Sequence, residues 1–207
     1  MPQMAAQLAA AAGEPRALEV ALEVAGGATL AQHLAGGRVQ QRLGQQRWDY
    51  VVLQEQQQRP TWPALQLERD FYAPARTLDV LIRTASAKTV LFMTAGRLDG
   101  DPKVFPGDTY ENMQERSRDS HTRLASELDA KLAPVGIAWR WAYQQRPDLP
   151  LWAADRYHPS LHGSYLAACV FYTLLYEHSA RGNPYTAGLP AADAQFLQKA
   201  ADVAEYL

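Results

Sequence analysis

The sequence contains a single cysteine, Cys169, among its 207 residues. An internal disulfide is therefore excluded, and no disulfide framework indicates an oxidising compartment. The chain has no run of lysine and arginine and a formal net charge of −2, so we expect neither nucleic acid nor an anionic membrane surface as a partner. No stretch approaches the roughly 18 consecutive apolar residues of a membrane span. We expect a soluble chain; its compartment stays open, including export through a leader upstream of Met1.

With 47% hydrophobic and 20% charged residues, the chain can bury one good-sized core, and we expect a single domain over residues 1–207. Helical and strand patterns alternate along it. Helices are predicted at 2–12, at 29–35, at 68–86, over about 25 residues from Asp108, and from Pro159 onward. Strands are predicted at 18–24, 48–54, 88–95 and 134–139. This alternation predicts an α/β protein whose parallel sheet is covered on both faces by helices.

Polar or glycine-rich loops follow each of the predicted strands. They contain residues 26–27, 54–56, 94–96 and, one turn after the last strand, 155–158. In open parallel sheets, ligands bind at the loops beyond the carboxyl ends of the strands. We therefore expect the functional site on this edge of the sheet.

Asp155 and His158 lie three positions apart in the last of these loops. A histidine base must be held in one tautomer, and a nearby carboxylate can bind one ring nitrogen while the other faces a substrate. Pro159 suits the first position of the following helix. Alternatively, both residues only satisfy the start of that helix. A zinc site that includes His162 lacks a clear third ligand, and we predict no metal.

Three segments together carry a family resemblance: GGATLAQH at 26–33, WDYVVLQEQ at 48–56, and DRYHPSLHGSYLAACVFY at 155–172. In this order and spacing they resemble the SGNH (GDSL-type) hydrolase superfamily, and the last block is the most specific. The resemblance covers nearly the whole chain. It implies a flavodoxin-like, three-layer α/β/α sandwich and Ser-His-Asp acyl transfer without a cofactor.

The resemblance also assigns roles to residues of this sequence. His158 would be the base, and Asp155 the carboxylate that orients it. The oxyanion hole would use the backbone N–H of Gly27 and a side-chain amide from Gln54 or Gln56, in place of the family's usual asparagine. The two glutamines lie two positions apart and share a side of an extended segment, so spacing does not choose between them.

The family's nucleophile block is not found in this sequence. Family members begin with a strand that ends in G-[DN]-S, and neither G-D-S, G-N-S nor G-x-S-x-G occurs here. The opening residues instead resemble the helix that follows that strand, so we expect the sheet to lack its first strand and the serine. Ser160 and Ser164 follow His158 into a helix, where we expect them to support the helix start and its packing.

Two functional hypotheses follow. In the first, the protein is an SGNH-type ester hydrolase whose natural start lies upstream of Met1, with acetylated carbohydrate as the substrate class by analogy. In the second, it is an inactive module that binds a carbohydrate or a protein partner. Its stacking surfaces would come from Trp48, Trp62, Trp139, Trp141 and Trp152, although Trp48 and Trp139 flank strands and suit the core. We favour the first because loss of a central strand would expose apolar faces and unpaired backbone groups. The oligomeric state stays open.

Overall fold

The computed structural model describes residues 1–204, which form two compact units. The sheet unit contains residues 22–96 and 100–133, and the helical unit contains residues 1–21, 97–99 and the chain from Pro134 onward. Among residues 1–204, no helix has both the length and the apolar character needed to cross a membrane.

Helices and strands alternate along much of the chain, as the sequence predicts. In chain order they are α1 (Pro2–Ala12), α2 (Leu30–Ala35), α3 (Arg38–Gln45), β1 (Tyr50–Leu53), α4 (Ala64–Leu67), α5 (Ala73–Thr84), β2 (Lys88–Phe92), α6 (Tyr110–Leu128), β3 (Lys131–Ala133), α7 (Val135–Gln145), α8 (Leu161–Tyr176) and α9 (Ala191–Val203). A π-helical turn, Glu68–Tyr72, joins α4 to α5.

The sheet unit is built on the parallel strands β1, β2 and β3, which lie in that order in the sheet. Leu53 pairs with Leu91, and Phe92 pairs with Ala133. Every residue of β2 after Lys88 is buried, as expected for the central strand of a parallel sheet. The predicted α/β class with a parallel sheet is confirmed.

Local sequence signals set the helix ends in the sheet unit. Thr29 caps α2, because its side chain accepts the Gln32 N–H at 3.2 Å while Gln32 Oε1 accepts the Thr29 N–H at 2.9 Å. Pro74 lies at the start of α5, directly after the π-helical turn. A proline cannot donate a helical hydrogen bond, and the wider turn accommodates that loss. The predicted helix at 68–86 is present as part of this longer helical run.

The core of the sheet unit joins β1 and β2 to the surrounding helices. Its buried side chains are Leu30, Leu53, Phe71, Tyr72, Ala75, Leu78, Ile82, Ala87, Leu91, Leu124 and Ala125. Each fully buried leucine, isoleucine or phenylalanine contributes roughly 1.5–3 kcal/mol relative to an exposed one. This cluster fixes β1 and α2, and with them the loops that follow β1 and precede α2.

In the helical unit, α1, α7 and α9 all pack against α8. Residues 165–173 of α8 are buried without interruption. Cys169 is among them and is fully buried, which confirms that it is a core residue. The helix α9 and the helix α3 of the sheet unit have no counterpart in the sequence prediction.

Two predicted strands are wrong. Residues 18–24 form no strand, and Val20, Leu22 and Val24 are 40%, 44% and 73% exposed. Their alternating pattern is that of a strand, but a strand needs a partner, and none of the described residues pairs with this segment. Residues 134–139 instead open α7; the strand is the preceding β3, and Pro134 precedes the helix, a position that proline tolerates.

Candidate active site

The loop that carries Asp155 and His158 lies in the helical unit, before α8. An antiparallel bridge between Trp152 and Pro159 closes the loop, and the Ala153 N–H donates to the His158 carbonyl at 2.8 Å. Inside it, Arg156 donates its N–H to the Ala153 carbonyl at 3.0 Å and adopts a left-handed conformation with φ 67°. This tight turn brings residues 155 and 158 into contact.

Asp155 holds His158 through both backbone and side chain. The His158 Nδ1 lies 2.7 Å from Asp155 Oδ2, and Asp155 Oδ1 accepts the backbone N–H groups of His158 at 2.9 Å and of Tyr157 at 3.1 Å. The His158 N–H, followed by its ring, lowers the pKa of Asp155 to about 2. Asp155 therefore stays ionised at neutral pH.

The loop does not engage the second ring nitrogen of His158. Its side chain is 63% exposed, and among residues 1–204 Nε2 has no hydrogen-bond partner. An imidazole bound to a carboxylate at Nδ1 can accept a proton at Nε2. The structure thus brings the predicted couple together, in a loop that Asp155 also stabilises; the catalytic role itself stays a prediction.

Ser160 closes the loop as the N-cap of α8. Its hydroxyl accepts the Gly163 N–H at 3.2 Å and donates to the Pro150 carbonyl. The expectation that Ser160 supports the helix start is confirmed. Because the hydroxyl is committed to the backbone on both counts, it is poorly placed to serve as a nucleophile.

Gly163 provides a physical reason for the glycine in the 155–172 block. A Cβ at this position would lie 2.1 Å from Trp139 Cη2 and 2.4 Å from the Leu151 carbonyl oxygen. That oxygen accepts the Ser160 N–H at 2.9 Å. Only glycine lets α8 approach α7 and the base of the loop this closely.

His162, considered above as a metal ligand, is bound to another helix. Its Nε2 lies 3.2 Å from Asp193 Oδ2, and Arg146 donates to Asp193 Oδ1 at 2.9 Å. These contacts tie the starts of α8 and α9 to the end of α7. The position of His162 is therefore explained by helix packing.

Gly27 lies in the sheet unit, in a four-residue turn before α2. The Ala28 N–H donates to the Ala25 carbonyl at 3.1 Å, and Gly27 has φ 69°, the third-position geometry of a type II turn. Within residues 1–204 the Gly27 N–H donates to no acceptor. Gly26 and Gly27 line an open cavity of about 380 Å³. The amide is thus available to an external oxygen.

The two candidate glutamines differ in their surroundings. Gln54 is exposed and has no hydrogen bond to any described residue. Gln56 is half-buried: its amide nitrogen donates to Gln58 Oε1 at 3.2 Å, and its own Oε1 accepts the Gln58 N–H at 3.1 Å. Gln54 therefore has the unengaged amide, whereas Gln56 would have to leave a local turn to bind an oxyanion.

Glu55 is a residue of this region that the sequence analysis missed. Its side chain is buried, and its carboxylate accepts the N–H of Leu30, the first residue of α2, at 3.1 Å and that of Gln56 at 2.6 Å. Burial raises the pKa of this carboxyl. It links the loop after β1 to the helix start that follows Gly27. The sequence signal that could have identified Glu55 is the alternation along the strand, which puts it on the same side as the buried Leu53.

No family model matches this chain, and no curated protein matches it. Solved structures do. The crystal structure of a DUF4886 family protein from Bacteroides uniformis has a TM-score of 0.77 and 18% identity, over all of this chain and 89% of the other. A proposed SGNH hydrolase from Slackia heliotrinireducens has a TM-score of 0.69 and 30% identity, over 84% of this chain and 90% of the other.

A proposed GDSL-like lipase from Parabacteroides merdae has a TM-score of 0.57 and 17% identity, over 84% of this chain and 80% of the other. At 17% and 18% identity the likeness shows the fold alone. The Slackia protein adds 30% identity over most of both chains.

Proposed function

Since this chain belongs to the SGNH (GDSL-type) hydrolase superfamily, we propose that it carries the base and oxyanion-stabilising groups of an ester hydrolase that works by Ser-His-Asp acyl transfer. A serine hydroxyl attacks the ester carbonyl while His158 removes its proton. The Gly27 N–H and the amide of Gln54 or Gln56 stabilise the tetrahedral oxyanion. His158 then protonates the leaving alcohol, and later activates the water that hydrolyses the acyl-enzyme.

The contact between Asp155 and His158 carries this proposal. The 2.7 Å separation of Oδ2 and Nδ1 is that of a charge-assisted hydrogen bond, and it leaves an exposed Nε2 on the ring. An ionised carboxylate at this position holds one tautomer and stabilises the imidazolium that forms during serine attack. A helix-start role for Asp155 would not require contact with the ring.

We place the nucleophile outside the serines of this chain. Ser160 caps α8, Ser179 donates to Asp202, and Ser120 is buried and donates to the Ser117 carbonyl. Among the described residues, β1 pairs only with β2, and Val52 of β1 is 42% exposed. An unpaired strand edge with an exposed apolar side chain is unfavourable. It supports a further strand beside β1 as the carrier of the serine.

For the substrate we propose a small acetyl ester, with O-acetylated carbohydrate as the class by analogy with the family. Trp139 and Trp152 are buried and contact each other with ring centroids 5.4 Å apart, so they are not available to stack on a sugar. Trp62 and Trp141 are half-buried and stay candidates. This chemistry requires no metal, cofactor, nucleic acid or membrane.

Hydrolysis of p-nitrophenyl acetate tests the proposal. The chain of residues 1–207 is expected to show negligible turnover, because loss of the nucleophile removes most of the rate. A chain extended through the upstream reading frame, where that frame encodes a strand ending in G-[DN]-S, is expected to be active and to lose its activity on His158→Ala. His178→Ala, which changes an exposed histidine elsewhere in the helical unit, is the matched control.

The outcomes separate the parts of the proposal. Robust turnover by residues 1–207 that disappears in His158→Ala would refute a nucleophile outside this chain. An extended chain that binds acetylated sugars without hydrolysing them would instead establish the inactive binding module. An upstream stop codon would favour that module.

A further inference from the structure

Three consecutive residues, 97–99, contact the loop that carries Asp155 and His158. The Arg97 guanidinium carbon lies 4.9 Å from the centre of the Tyr157 ring. The Leu98 N–H donates to the Arg156 carbonyl at 2.9 Å. Asp99 accepts two hydrogen bonds from the Arg156 guanidinium, at 2.6 and 2.5 Å. All these residues belong to the helical unit, so the contacts lie within one compact body.

Arg156 is the residue on which the loop geometry depends. Its φ of 67° is uncommon for a side chain other than glycine. This conformation turns the chain so that Asp155 Oδ1 can accept the backbone N–H groups of Tyr157 and His158. A non-glycine residue persists in such a conformation only when its surroundings favour it. The Leu98 N–H holds the Arg156 backbone, and the Asp99 carboxylate, by accepting from the guanidinium, holds its side chain.

The two-point contact between Asp99 and Arg156 is specific in direction. A guanidinium bound through two parallel N–H groups is fixed in orientation as well as distance. Arg156 also holds the pKa of Asp99 below its usual range, so the contact is present at neutral pH. The pair is exposed on both sides, with side-chain exposures of 58% for Asp99 and 55% for Arg156. Exposed pairs contribute little to global stability.

We propose that Asp99 is a positioning residue for the Asp155–His158 couple and acts through Arg156. This inference rests on the proposed function of that couple. Asp99 holds Arg156 in its left-handed conformation, Arg156 sets the position of Asp155, and Asp155 keeps the proton of the neutral imidazole on Nδ1. Nε2 is then free to take a proton from an attacking hydroxyl.

The tautomer of His158 tests the proposal in the chain as it exists. Long-range proton–nitrogen NMR spectra of the neutral ring distinguish Nδ1–H from Nε2–H, and a free imidazole favours Nε2–H. In the wild type we expect Nδ1–H. In Asp99→Asn we expect a shift toward Nε2–H and a titration midpoint of Asp155 that rises from about 2 toward its usual 3.8. Asp99→Glu is expected to restore the wild-type signals.

Two further variants separate positioning from unfolding. Asp119→Asn removes another exposed aspartate that pairs with an arginine, Arg118, at 3.1 Å, and is expected to leave His158 unchanged. Arg156→Lys keeps the charge but loses the two-point contact, so the tautomer is expected to shift part of the way. The urea midpoint of Asp99→Asn is expected to match the wild type, because an exposed pair is involved.

The two possible failures are distinguishable. An Asp99→Asn chain that keeps the Nδ1–H tautomer and the low titration midpoint of Asp155 overturns the role of Asp99 alone. A wild-type chain whose neutral His158 is in the Nε2–H form overturns the couple itself, and the proposed function with it.

Discussion

Substitution of Gly163 by alanine is a direct test of how the 155–172 block folds. The added Cβ would lie 2.1 and 2.7 Å from two carbons of the Trp139 ring and 2.4 Å from the Leu151 carbonyl oxygen. Trp139 is 3% exposed and packs against Trp152, so the ring has little room to retreat. The Leu151 carbonyl in turn accepts the Ser160 N–H, so a shift there opens the base of the loop.

The magnitude follows from three contributions. Overpacking of a buried site costs about 1–3 kcal/mol, and loss of the hydrogen bond to Leu151 costs about 1 kcal/mol. The better helix propensity of alanine offsets about 1 kcal/mol of this loss in the free energy of unfolding. We expect a net loss of about 2 kcal/mol in the free energy of unfolding.

Urea denaturation followed by tryptophan fluorescence measures this change, with Gly44→Ala as the matched control. Gly44 lies in α3, and a Cβ there meets nothing within 4 Å, so the control is expected to gain about 0.5–1 kcal/mol. A Gly163→Ala chain that is as stable as the wild type, or that gains stability as the control does, contradicts the packing described for α7 and α8.

Three further predictions follow from single contacts. Burial lowers the pKa of His121 from 6.5 to about 4, so between these pH values the unfolded chain binds more protons than the folded one. The free energy of unfolding is therefore expected to fall by about 3 kcal/mol as the pH drops through this window. A His121→Gln chain with the same pH dependence would contradict this. The Glu55→Gln side chain cannot accept both N–H groups that the carboxylate accepts, so the free energy of unfolding measured in urea is expected to fall by about 1–3 kcal/mol. The control Glu19→Gln, at an exposed position, is expected to leave it unchanged. Equal losses in the two variants would argue against the bonds to Leu30 and Gln56. Ser160→Ala removes the N-cap of α8 and is expected to lose about 1 kcal/mol in urea denaturation; a chain of unchanged stability would show that the cap contributes nothing.

Much of the fold is predictable because its signals are local. The helix α1 ends at Gly13, whose φ of 71° suits glycine, and α2 begins at a capping box. The two wrong strands concern pairing, which is not local. Residues 18–24 have a strand's alternation but no partner among the described residues, and the three residues of β3 are too short for any periodicity to stand out. The sequence therefore predicts local conformation better than it predicts partners.

The same distinction applies to the site. Asp155 and His158 are three positions apart, so the motif itself brings them together. Asp99 lies 57 positions from Arg156, and no pattern in either segment indicates their contact. Glu55 is an intermediate case. The alternation that continues from β1 places it on the buried side, but Leu30, whose N–H its carboxylate accepts, lies 25 positions away. Residues that act through contacts distant in sequence can be identified only from the structure.

The loop also holds the Asp155–His158 pair in place through its own contacts. Asp155 accepts three hydrogen bonds from Tyr157 and His158. Ser160, the N-cap of α8, closes the loop by its bond to the Pro150 carbonyl. A preorganised base does not have to rearrange when charge develops on it, so under the proposed function a nucleophile needs only to bring a hydroxyl within about 2.6–3.2 Å of Nε2. The two partners are consequently unequal. In the proposed function the His158 ring acts as the base, whereas Asp155 both orients that ring and accepts two backbone N–H groups of the loop. Loss of the carboxylate is therefore expected to disturb the loop more widely than loss of the imidazole.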